Sequence, residues 1–261
     1  MGGAERVLAH LIRGLDRSRF RPELVALRAP GPVAEELRGE GLPVHAGLTG
    51  PARFDLRLVP RIRRLLLRGG FRAIYFLDHA HAVFHGVIAA AGTPARVRVM
   101  PVHTTGQWNG QPSLKRPIRL VRSRLDRIIA IADAQREYLV REEGVPREQI
   151  TVIPNGVPLA RPGERERRER RAAARARLST PEAAPVIGIT AVLRPEKNHE
   201  LLLRAFARIR AAHPQAELWV LGDGPRRPFL VAEAGRLGLS CGDGPGQAVR
   251  LLGHRPDARA L

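Results

Sequence analysis

A single cysteine, Cys241, excludes an internal disulfide framework, and no Cys/His cluster at metal-ligand spacing accompanies it. His79, His81 and His85 crowd into DHAHAVFH but lack the carboxylate pattern of a metal site, so no metal and no cofactor are expected. No run of about 18 apolar residues is present, and the opening MGGAER lacks the charged-then-apolar layout of a signal peptide, which gives a cytoplasmic expectation. Aromatic residues make up only 4% of the chain, too few for the stacking platforms of single-stranded nucleic-acid binders. Lysine is nearly absent: among 44 basic residues only Lys115 and Lys197 are not arginine. With 25 acidic residues the net charge is +19, which favours anionic partners. The uniform use of arginine nevertheless reads as compositional bias, and no nucleic-acid partner is expected.

What the sequence does have is a rhythm. Short β-rich runs at 23–27, 73–77, 97–102, 127–131 and 151–153 alternate with helical patterns at 5–15, 33–41, 55–67, 80–91, 113–125 and 134–143. That alternation implies an α/β fold with parallel sheets covered by helices. Residues 158–184 break it with prolines and a dense charge run, so three parts are expected: an α/β domain at 1–157, a linker with a basic surface helix near 165–178, and a second α/β series at 185–261. The second series reads as strand 186–190, helix 199–212, strand 217–221, helix 227–237 and strand 248–251.

Four segments can carry chemistry. Gly2 and Gly3 lead directly into a helix, a turn in which backbone N–H groups can approach an anion; a plain tight turn is the alternative. Arg194 and Lys197, in TAVLRPEKNHELLLRAF, follow a strand and precede a helix, where open α/β sheets bind ligands and where cations can neutralise a diphosphate; a surface turn is the alternative. Gly222 and Gly224, in LGDGP, follow the apolar strand LWVL and permit a close βα turn with room for a nucleotide; a plain turn is the alternative. His103 follows an apolar strand and opens the polar loop TTGQWNGQPS, the place for a substrate-facing side chain or a structural histidine. The stretches RLVPRIRRLLLRGGFR and SLKRPIRLVRSRLDR read as sheet-covering helices with charged outer faces; the alternative is peripheral contact with an anionic membrane.

Taken in order, GGAERVLAHLIRGL, the His103 loop, RIIAIADAQREYL, ITVIPNGV, LRPEKNHELLLRAFARI, LGDGP and VRLLGHRPD resemble the family 4 retaining glycosyltransferases across nearly the whole chain. The resemblance implies the GT-B architecture of two Rossmann-like domains, the first holding a glycan or lipid-linked acceptor and the second a nucleotide-sugar donor. It implies that Gly2 and Gly3 face donor phosphates and acceptor, that His103 lies near the transferred sugar, and that Arg194 and Lys197 bind the diphosphate. Gly222 and Gly224 fall in the turn near the nucleotide, and Asn155 and Gly156 belong to a structural joint. No metal is implied, because protein cations take the part of a divalent ion.

The chain departs from the family at Ala132, usually Ser, and at Pro158, usually Asp, while SCGDGPGQ lengthens a surface loop to which no role is given. The family places an apolar strand before GGAE and a paired-glutamate segment after the last residues here. The first domain is therefore expected to lack its first strand, the second to be incomplete, and the chain to be weakly active or inactive. Two other classes of function stay open at this point. A non-catalytic basic binding module would explain the charge, and a dinucleotide oxidoreductase would need a GxGxxG with an acidic residue about 20 positions on, which is not seen.

Overall fold

A computed structural model describes residues 3–49, 55, 57–77, 79–103, 112–158, 162–255 and 257–258. Gly2 and residues 104–111 of the His103 loop lie outside them. The chain divides into two compact units, Met1–Leu159 and Ala160–Leu261.

In the first unit, helix α1 (Gly3–Gly14), strand β1 (Leu24–Ala26), helix α2 (Pro32–Gly39) and strand β2 (Val44–Ala46) come first. Helix α3 (Leu58–Gly69), strand β3 (Ala73–Tyr75), helix α4 (Ala80–Ala90) and strand β4 (Val97–Val102) follow. Helix α5 (Arg116–Val121), strand β5 (Arg127–Ala130), helix α6 (Asp133–Arg141) and strand β6 (Ile150–Val152) complete it. All pairings are parallel, as crossover helices require. The strands form a four-stranded sheet in the order β3-β4-β5-β6 and a separate two-stranded sheet of β1 and β2.

The core of the larger sheet is built from Met100, Val102, Ile128 and Ala130, all at most 1% exposed, against Val83 and Val87 of α4 and Ile118 and Val121 of α5. Every second residue of β4 and β5 points the same way, and that period places these side chains in one layer. Helix α3 buries Leu58, Ile62 and Leu66 in a second cluster with Ala89 and Ala90, while Arg61, Arg64, Leu67 and Arg68 face outward. Glu143, after α6, gathers the local polar groups. It accepts hydrogen bonds from the Ser113 amide at 2.6 Å, from Arg119 at 2.7 Å and from the Leu114 amide at 3.3 Å. Burial alone would raise its pKa, but these donors outweigh it and hold the carboxyl below its ordinary value.

The second unit contains helix α7 (Glu164–Arg177), strand β7 (Val186–Thr190), helix α8 (His199–Ala212), strand β8 (Glu217–Leu221) and helix α9 (Arg227–Arg236), then strands β9 (Cys241–Gly242) and β10 (Val249–Gly253). The sheet order is β7-β8-β10-β9, again parallel. Alternation along β8 separates two faces: Leu218 and Val220 enter the cluster with Leu203, Phe206 and Leu230, whereas Trp219 and Leu221 pack with Leu178 just beyond α7. β8 is therefore covered on both sides and all five of its residues are buried.

The helix expected between the two domains packs in this way with the second unit. Buried Arg175 fixes the chain after it, donating to the Pro181 carbonyl at 2.5 Å and the Ala184 carbonyl at 2.9 Å. The insert SCGDGPGQ supplies the edge strand β9, so part of it belongs to the sheet. Among the described residues no helix is long and apolar enough to cross a membrane.

Candidate active site

The turns that follow β7, β8 and β10 converge at the carboxyl edge of the second unit's sheet. The first runs from Ala191 to Asn198 and the second from Gly222 to Arg226. They are stitched together through backbone: the Leu193 amide donates to the Asp223 carbonyl at 3.1 Å, and the Arg226 amide returns to the Leu193 carbonyl at 3.2 Å. The Gly222 amide donates to the Gly253 carbonyl at 2.7 Å, bringing in the end of β10.

This stitching leaves no room for side chains at two positions. A Cβ on Gly222 would stand 1.9 Å from the Ala191 carbonyl oxygen, and one on Gly224 would stand 2.7 Å from the Leu193 carbonyl oxygen. Gly222 also has φ of 141°, a conformation that L residues rarely adopt. The turn glycines singled out in the sequence thus hold one ligand-edge loop against the other.

Arg194 and Lys197 are carried on the first of these turns, both exposed. Pro195–Lys197 makes one 3₁₀ turn, with the Lys197 amide donating to the Arg194 carbonyl at 3.1 Å. Asn198 follows in the left-handed region, φ 47° and ψ 46°, and its side chain caps α8 by accepting from the Leu201 amide at 3.4 Å. The two cations therefore lie within one turn of the amino end of a 14-residue helix, whose first N–H groups carry partial positive charge. Three sources of positive potential thus stand on one turn.

Two further contacts steady this edge. Arg226 pairs with Glu200 in the first turn of α8, and its guanidinium carbon lies 3.8 Å from the centroid of the Phe229 ring. His199 is 3% exposed, and its Nε2 has no hydrogen-bond partner. Burial, reinforced by the charge of Lys197, pushes the imidazole pKa below its ordinary 6.5. The unfolded chain then binds a proton that the folded unit does not, so stability is lost as pH falls through the interval below 6.5. Urea titrations between pH 7 and pH 5 are expected to give a smaller loss for His199→Leu than for the parent chain; equal slopes would remove His199 as the cause.

The other sequence-derived candidates belong to the first unit. Gly3 is the first residue of α1, is exposed, and has open space where a Cβ would sit, so its own backbone does not demand glycine. His103 follows the last residue of β4 and is part-buried, at the carboxyl edge of that sheet. The structure thus brings Arg194, Lys197, Gly222 and Gly224 to one edge of the second unit, while Gly3 and His103 lie in the first. Leu193, Asn198, Glu200 and Arg226 were not singled out from the sequence. Asn198 directly before a helical pattern was the one readable sign, since asparagine is a preferred N-cap.

The sequence model of Glycosyltransferase Family 4 matches residues 1–161, and that of glycosyl transferases group 1 matches residues 170–242. The chain belongs to glycosyltransferase family 4. Its similarity to EpsF of Bacillus subtilis (strain 168) is 28% identity over 252 residues, covering 89% of this chain and 62% of that protein. A D-inositol 3-phosphate glycosyltransferase of Nocardia farcinica is 30% identical over 209 residues, covering 72% of this chain and 44% of the relative. The chain thus spans less than two thirds of the length of either. Among solved structures, Anabaena Alr3699/HepE in complex with UDP and glucose superposes with a TM-score of 0.76 at 23% identity, over 100% of this chain and 68% of that one. The fold of this family 4 chain is GT-B, built from two Rossmann-like α/β units with parallel sheets.

Proposed function

We propose that this family 4 chain binds the nucleotide-sugar donor of a retaining glycosyl transfer, with the diphosphate at the amino end of α8 between Arg194 and Lys197. The supporting observation is the backbone stitching of the 191–198 and 222–226 turns, which fixes two exposed cations beside a capped helix terminus. The UDP held by the Anabaena protein fits this reading.

In the reaction, the bond from the anomeric carbon to the diphosphate oxygen breaks as a bond to the acceptor hydroxyl oxygen forms on the same face. The acceptor proton passes to the departing diphosphate. Arg194, Lys197 and the α8 N–H groups stabilise the charge that grows on that leaving group. Gly222 and Gly224 keep the neighbouring turn low enough for the nucleotide, and the first unit holds a glycan or lipid-linked hydroxyl acceptor. By resemblance to the family, His103 is assigned to the transferred sugar and Gly2 and Gly3 to the phosphates and acceptor. Protein cations stand in for a divalent ion.

Calorimetric titration of the chain with UDP and GDP tests this. Lys197→Ala is expected to weaken the tighter nucleotide roughly ten- to a hundredfold, the effect of one hydrogen bond between charged groups. EDTA is expected to leave the parent's affinity intact. Equal affinity in the Lys197→Ala chain would remove the lysine from the donor site.

A further inference from the structure

At the amino ends of β3 and β4, the first unit carries an open cavity of about 880 Å³. Its strand side is formed by Arg72, Arg96 and Arg98 and its other side by the turn that ends α4, from Ala90 to Pro94. Among the described residues no aspartate or glutamate lines it.

The placement of the arginines follows from the sheet register. Residues 98, 100 and 102 share one face of β4 by the period of two, and Met100 and Val102 are at most 1% exposed beneath α4. Arg98 continues that register where α4 ends, and Arg96, which is exposed, stands just before the strand. Ala73 pairs with Val97, and the Val97 amide donates to the Arg72 carbonyl at 3.1 Å, which sets Arg72 beside Arg96.

Charge at the cavity is cancelled only in part. Arg98 is held by Asp126, its Nε 3.2 Å from the carboxylate, but Arg72 and Arg96 have no carboxylate partner among the described residues. Two of the carbonyls at the end of α4, which would repel an anion, are already engaged. Arg63 donates to the Ala91 carbonyl and the Thr93 hydroxyl to that of Ala90, at 2.8 Å. What remains facing the cavity is uncompensated guanidinium, the group whose planar fork matches phosphate oxygens.

We infer that this cavity is a second anion site, which takes a phosphoryl group, either of a small phosphate compound or of an anionic phospholipid headgroup. It lies in the first unit and does not depend on the donor reading, whose cations are in the second.

Hydrogen exchange by mass spectrometry on the full chain separates the two sites by segment. Inorganic pyrophosphate or phosphatidylglycerol vesicles are expected to slow exchange in residues 90–98, and phosphatidylcholine vesicles are not. A response to pyrophosphate identifies a small phosphate compound as the source, and a response confined to phosphatidylglycerol identifies the headgroup. The exposed pair Arg72→Ala/Arg96→Ala is expected to weaken the response at 90–98 about tenfold or more while leaving any response at 193–200 unchanged. Arg72→Lys/Arg96→Lys, which keeps both charges, is expected to recover part of it. Unchanged exchange at 90–98 with both anionic probes, or a full response in the alanine pair, would overturn the site.

Discussion

Alanine at position 222 is expected to disrupt the carboxyl edge of the second unit and to abolish nucleotide binding, although the substitution adds one methyl group. Two costs combine. At φ of 141° the backbone is open to glycine and strained for any L residue, a penalty of order 1–3 kcal/mol. The new Cβ would also stand 1.9 Å from the Ala191 carbonyl oxygen, and that oxygen belongs to backbone that cannot rotate aside. Relief requires the turns after β7 and β8 to separate. Separation breaks the pairing of Leu193 with Asp223 and Arg226 that holds the Arg194–Lys197 turn in place. A loss of about 3 kcal/mol or more follows, which is a large share of a domain's typical stability.

Two companion substitutions calibrate it. Gly224→Ala meets Leu193 at 2.7 Å without a positive φ and is expected to cost less. Gly235→Ala lies on α9 with nothing within 4 Å, so it is expected to be neutral or to stabilise by up to about 1 kcal/mol. Urea unfolding of the three variants, with UDP titration at each, checks the order. Gly222→Ala matching Gly235→Ala in stability would contradict the geometry.

This ranking also marks how far the sequence could be read. Strong patterns located whole elements: VRVMPV, VIGIT, ELWVL and HELLLRAFARIRAA become β4, β7, β8 and α8 with the boundaries expected. Two short strands were missed. Strand β2 is three residues and β9 two, and each exists because a neighbouring strand pairs with it, a tertiary fact that no local periodicity contains. The helix expected over 113–125 begins later and ends earlier, as α5 followed by a 3₁₀ turn at Arg122–Arg124. Gln149, distant in sequence, claims the carbonyls of Arg122 and Leu125 at 2.9 and 2.6 Å, and so competes with a continued helix.

The site divides in the same way. Arg194, Lys197 and the GDGP turn were legible as residue types in a strand-to-helix setting. That Gly222 is the more constrained of the two glycines was not, because both read equally well as turn formers. The Glu200–Arg226 pair and the packing of Arg226 on Phe229 join segments that only the fold brings together. Nor does the arginine-rich run of α7 announce its partner, since Arg175 is the member turned inward and the rest of the run is solvated.

The same covered face of β8 carries the second large expected effect. Arg250 is 3% exposed and Glu217 5% exposed, and their charged atoms lie 3.5 Å apart. Arg250 also donates to the Leu178 carbonyl at 2.5 Å and to the Thr180 hydroxyl at 3.1 Å. Glu217 accepts from that hydroxyl at 3.0 Å and from the Trp219 indole at 2.9 Å. The group anchors the chain after α7 to the sheet. Arg250→Met strands a buried carboxylate and a buried carbonyl, and is expected to cost about 3–5 kcal/mol. Glu217→Met leaves a buried guanidinium and is expected to cost a similar amount.

The double variant removes both charges and fills the space with apolar atoms, so it is expected to be more stable than the sum of the singles by about 1–3 kcal/mol. Trp219 stands inside the network, and the chain has two tryptophans. A Trp108→Phe background therefore makes fluorescence report on this unit alone during urea unfolding. Additive losses across the cycle would mean that the two charges act independently, and that the face is held by apolar packing of Leu178, Trp219 and Leu221 instead.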